Sequence, residues 1–170
     1  MFKVVLLLLL IASCGSMGLL KASTYSRRVR ELNDIRSLLH QISMEINFRR
    51  EPLPVIFRNM TQNNSHHINH LMAVCIKYME EKIPFEKCWN TAINDVYKDS
   101  CLNKEDLYIL NELGNQLGKS NVTGQENAIK LTEEKLMYQI SQASESRKTK
   151  GKMYGSLGFS VGLVIAVILI

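Results

Sequence analysis

Apolar residues run almost unbroken at both ends of the chain and recur every three or four residues between them. From Val4 to Leu20 the only hydroxyl side chains are Ser13 and Ser16, with Lys3 ahead of them. From Met153 to Ile170 there is no charged residue. About 18 apolar residues are enough for one membrane helix, so residues 1–20 and 153–170 are each expected to cross a bilayer once. Between them, Val29, Leu32, Ile35, Leu39, Ile42 and Ile46 form one apolar stripe and predict a helix over 25–50. That helix is free to continue out of the membrane segment without a break. Glu51-Pro-Leu-Pro54 ends it, because proline cannot extend the ladder and restricts the residue before it. Pro54 suits the first turn of a short helix over 55–62.

The remaining pattern is helical throughout. Ser65 is a candidate N-cap for a helix over 66–82, with Ile68, Leu71, Met72, Cys75 and Met79 inward. Pro84 opens a helix over 84–98 that buries Phe85, Cys88, Trp89, Ala92, Ile93 and Val96. Asn103-Lys-Glu-Asp106 resembles a capping box and opens a helix over 104–118, with Leu107, Leu110, Leu113 and Leu117 inward. Thr123 is expected to cap the last helix, 124 to about 150, with Ile129, Leu131 or Thr132, Leu136 and Ile140 inward. No run alternates as a strand does. The expected fold is all-α: an antiparallel six-helix bundle over 21–152, flanked by an N-terminal and a C-terminal transmembrane helix.

Charge gives this architecture a direction. The net charge is +5, and much of the excess sits beside the apolar ends, at Lys21, Arg27, Arg28 and Arg30 and at Arg147, Lys148, Lys150 and Lys152. That placement fits a membrane surface better than nucleic acid. Basic flanks mark the cytoplasmic side, so both ends place the middle of the chain in the cytoplasm at the cell membrane. Residues 1–20 have two other readings, a cleaved signal peptide and a lipoprotein signal at Ile11-Ala-Ser-Cys14. Either would describe an exported lipoprotein or secreted helical binding module, and would put both basic clusters on the wrong side.

Candidate chemistry is sparse. Outside Cys14 the domain has Cys75, Cys88 and Cys101, an odd number that suits free thiols better than a disulfide framework. His66 and His70 share a helical face at zinc-ligand spacing, but no Glu stands in the metalloprotease position, Cys75 falls five residues beyond His70, and a solvated helix start accounts for His66 and His67. Asn59, Asn63 and Asn121 begin Asn-x-Ser/Thr triplets of the kind that arise by chance in an Asn-rich chain. No nucleophile–base pair, phosphate loop or carboxylate pair is legible, so neither an enzyme nor a cofactor is expected. Gly114 and Gly118, four apart in a predicted helix, each cost about 1 kcal/mol relative to alanine. Close approach of another helix backbone at Gly114 and a left-handed cap at Gly118 are expected to offset this. Gly155, Gly158 and Gly162 are candidates for helix packing in the membrane. Glu80, Glu81, Lys82, Glu86 and Lys87 are a candidate docking face at the central turn.

The run Leu110-x-x-Leu-Gly-x-x-Leu-Gly118, then Gln125 and Ile129, then Lys150-x-Lys-x-Tyr-x-Ser-Leu-Gly158 before the last apolar helix, resembles stage III sporulation protein AB of endospore-forming bacteria. Pro52-Leu-Pro54 with Phe57 and the short N-terminal apolar segment fit the same family. The resemblance implies similarity to the cytoplasmic helical domain of inner-membrane platform proteins in type II secretion and type IV pilus machines. It implies a place in the channel complex between mother cell and forespore, in the mother-cell membrane. Other stage III sporulation channel proteins and a secretion-type ATPase would be its partners, with self-association open and no nucleic acid.

Overall fold

The computed structural model describes residues 2–49, 52–60, 65–117, 119 and 121–168, with side chains from residue 9 onward except 10 and 49. Every regular element among them is helical. In order they are α1 Phe2–Arg49, α2 Leu53–Met60, α3 His66–Glu80, α4 Phe85–Val96, α5 Lys104–Gln116 and α6 Val122–Ser146. A π-helical turn, Arg147–Gly151, then leads into α7 Lys152–Ile168. The apolar N-terminal stretch and the first amphipathic stripe form one unbroken helix, α1. Likewise α6, the π turn and α7 form one 47-residue helix, Val122–Ile168. The chain divides into two compact units, a helical unit of Glu31–Ile140 and a pair of terminal arms, Met1–Arg30 with Ser141–Ile170.

In the helical unit, α2 packs on α3, α3 on α4 and α4 on α5. The α1 stripe is buried at Leu32, Ile35, Leu38, Leu39, Ile42 and Ile46. Phe57 of α2 meets Phe85 edge-on at 5.7 Å and Trp89 at 6.3 Å, and the Phe85 and Trp89 rings stack at 5.9 Å. Aromatic rings carry much apolar area and favour such offset and edge contacts, so this trio ties α2 to α4. The Trp89 indole N–H would be costly to bury alone. It donates to the Leu110 carbonyl at 2.8 Å, which fixes α4 against α5.

The helix ends show which local rules won. The capping box is complete: Asn103 Oδ1 accepts from the Asp106 N–H at 2.8 Å, and Asp106 Oδ2 accepts from the Asn103 N–H at 2.9 Å. Pro52 opens α2 as its N-cap, its carbonyl accepting from the Val55 and Ile56 N–H groups. Ser65 holds the N-cap position of α3, but its hydroxyl makes no capping bond. Thr123 is not the cap of α6. The helix starts two residues earlier than expected, at Val122, and Asn121 Oδ1 accepts from the Gly124 N–H at 2.9 Å. On α6 it is Thr132, not Leu131, that turns inward. Its hydroxyl is satisfied by the Ala128 carbonyl at 2.8 Å, while Leu131 is 48% exposed. The proposed cap at Gly118 lies outside the described residues.

Candidate functional site

The terminal arms approach each other backbone to backbone at their glycines. A side chain at Gly18 would lie 2.6 Å from the Tyr154 carbonyl and 3.0 Å from the Gly158 Cα. One at Gly158 would lie 2.9 Å from the Cys14 carbonyl and 3.0 Å from the Gly18 Cα. At Gly162 the neighbours are the Ile11 Cα at 3.1 Å and the Cys14 Cβ at 3.2 Å. Small residues permit such approach between apolar helices that have no hydrophobic drive to associate in lipid. Tyr25 and Tyr154 stack at 6.1 Å beside this contact. As α1 numbers rise, the matched α7 numbers fall, so the arms run antiparallel.

Of the glycines expected to pack in the membrane, Gly158 and Gly162 therefore meet the other arm, whereas Gly155 has nothing within 4 Å. Their counterpart Gly18 was missed in the sequence. It lies in a run read only for hydropathy, and its one visible signal is Gly15 and Gly18 interrupting that run. The π turn, Arg147–Gly151, carries Arg147, Lys148 and Lys150 of the second basic cluster, and Gly151 is buried within it.

Gly114 is also a contact glycine, but not for a helix backbone. A side chain there would strike the Trp89 ring, whose Cγ lies at 3.0 Å, and come within 2.6 Å of Asn90 Oδ1. The missing Cβ seats the indole flat enough on α5 for its N–H to reach Leu110. The residues at the α3–α4 turn do not converge. Glu80 pairs with Arg58 at 2.6 Å and Glu86 pairs with Lys119, while Glu81, Lys82 and Lys87 are exposed. Lys82 has φ +61°, and its N–H bonds the Met79 carbonyl while that of Ile83 bonds Tyr78. This is a Schellman end with lysine where glycine is usual. A recess of about 360 Å³ beside it is lined by Leu53, Pro54, Met79 and Phe85.

His66, His67 and His70 stand near one another at the start of α3, with ring centroids 6.1 and 6.5 Å apart. Among the described residues no group of three or more histidine, cysteine or acidic side chains is placed to hold a metal ion. Cys75 and Cys88 are buried and reduced. Burial, with Cys88 close by, pushes the Cys75 thiol up to about 12. Burial likewise raises Cys88 and the Tyr97 phenol.

Among the described residues one helix is long and apolar enough to cross a membrane, Val122–Ile168, with mean hydropathy 1.5 in its apolar window. The family model for stage III sporulation protein AB matches residues 3–170. Stage III sporulation protein AB of Bacillus subtilis (strain 168) is 24% identical over 153 residues, covering 89% of this chain and 90% of its own. A solved structure of stage III sporulation protein AB matches with a TM-score of 0.67 at 18% identity, covering 72% of this chain and 98% of that one. At that identity the likeness speaks to the fold.

Proposed function

The chain belongs to the stage III sporulation protein AB family, and from that membership we propose that it is a non-enzymatic membrane platform of the mother cell–forespore channel. Both terminal arms span the mother-cell membrane. The helical unit, an antiparallel six-helix bundle, stands in the cytoplasm and docks a secretion-type ATPase.

The observation that carries this reading is the register of the arms. Gly18 lies beside Gly158 and Ile11 beside Gly162. At 1.5 Å of rise per residue on each helix, Lys21 to Arg30 run level with Arg147 to Lys152. Eight cations then fall in one layer, with no carboxylate in either stretch. Tyrosines are favoured where a bilayer meets water, and the Tyr25–Tyr154 stack lies in the same layer. Two apolar helices that meet through glycines and share one basic end have the form of a hairpin anchor entered from the cytoplasm.

The docking role is tested in sporulating cells. The full-length chain is isolated from solubilised membranes, and the ATPase is followed in the membrane fraction with and without the gene for the chain. Co-isolation, and loss of the ATPase from membranes when the chain is absent, is the expected result. An ATPase that stays on the membrane in the same amount without the chain overturns the docking role.

A further inference from the structure

We propose that the groove between α5 and α6 seats a basic amphipathic helix of a partner protein, a surface that rests on the docking role above and gives it a place and a chemistry. The groove encloses about 470 Å³ and is walled by Glu105, Tyr108 and Glu112 from α5 and by Leu131, Glu134 and Tyr138 from α6. The α5 residues are three and four apart, and those of α6 are three and four apart again. Each set is thus one stripe of its helix, and two parallel stripes make a trough that fits a third helix.

Its apolar content is out of place for solvent. Tyr108 is 67%, Tyr138 62% and Leu131 48% exposed. Leu131 is left outside although Thr132 beside it is buried. Aromatic side chains that expose both a ring and a hydroxyl are enriched in contact surfaces.

The electrostatics name the occupant. Three carboxylates face one ammonium in this wall, and that ammonium, Lys135, is already bound to Glu112 at 2.7 Å. Glu105 and Glu134 are exposed at the rim. This acidic surface sits on a chain of net charge +5, and its carboxylates attract cationic segments. The docking role proposed above gives that cationic helix to another protein. Apolar residues every three or four positions would meet Tyr108, Leu131 and Tyr138, and lysine or arginine beside them would meet Glu105 and Glu134.

The test places a photoreactive phenylalanine analogue at Tyr108 or Tyr138, and for comparison at Glu81 or Lys87, in the full chain in sporulating cells. Crosslinked peptides are sequenced. Tyr108 and Tyr138 are expected to give an adduct to a helical peptide of another protein that is net positive. Glu105→Lys with Glu134→Lys, which leaves the Lys135–Glu112 pair intact, is expected to cut that yield at least fivefold. Four results overturn the proposal: no adduct at either tyrosine, an adduct to a second copy of this chain, an acidic or neutral peptide, or a yield unchanged by the charge reversal. An ATPase adduct only from Glu81 or Lys87 overturns this groove while the docking role stands. A basic adduct from a protein other than the ATPase sustains the groove and overturns the ATPase as its partner.

Discussion

Gly114 and Lys82 are the residues at which local cost and packing pull in opposite directions. Helix propensity alone favours alanine over Gly114 by about 1 kcal/mol. A methyl group there meets the Trp89 ring and Asn90, and overpacking a fitted core costs about 1–3 kcal/mol. Gly114→Ala is therefore expected to lower stability, whereas an open site would show a gain. Denaturant unfolding of the purified full chain reads the sign. Combining it with Trp89→Phe, which removes the bond to Leu110, should shrink the alanine penalty, since the two changes share one contact. Lys82 is the converse. Its left-handed backbone is unfavourable for any side chain by about 1 kcal/mol, so Lys82→Gly should stabilise the unit by that amount in the same assay. The glycine at 114 was legible as a contact, but not its partner, because the sequence does not say which neighbouring side chain fills the space a glycine leaves. Nothing in the sequence marked Lys82, since the usual signal for such a helix end is a glycine.

At the scale of elements, the helices were legible because each carries an apolar stripe and a break signal. Pro52-Leu-Pro54, Pro84 and Asn103-Lys-Glu-Asp106 all stand at helix starts. What stayed hidden was choice between neighbours. Asn121 and Thr123 are both good caps, and only the packing of α6 decides between them. Leu131 and Thr132 are adjacent on the helix, and hydrophobicity alone points to the wrong one. The pairing of the arms was hidden too, because hydropathy treats Gly18 as one more uncharged residue. That pairing predicts that Gly162→Cys will form a disulfide with Cys14 in oxidised membranes, counted by thiol alkylation. Adding Gly18→Leu should suppress it by forcing the helices apart. The α3–α4 pair makes a separate prediction. The Cys75 thiol stands at about 12 in the fold against an ordinary 9.0. The folded state thus holds its proton more tightly, and the stability this contributes is present below pH 9 and is lost as pH rises toward 12. The thermal midpoint should fall across that window, and Cys75→Ala should flatten the fall.

For the whole molecule, the all-helical class and the sporulation family were legible along the full chain. Grouping by contacts is a different division from the membrane boundaries expected at residues 20 and 153. The structure groups residues 21–30 and 141–152 with the apolar ends, because helices that are continuous in sequence carry no composition break where their contacts change. The proposed platform requires one topology: two arms inserted from the same side, with the helical unit in the cytoplasm. The most direct test adds Lys87→Cys to the otherwise unchanged chain and treats intact protoplasts with a membrane-impermeant maleimide, before and after lysis. Lys87 is exposed, so its cysteine reports access without disturbing the core. The expected result is no added label in intact protoplasts and full labelling after lysis. Equal labelling before lysis would place the unit outside the membrane and contradict the platform.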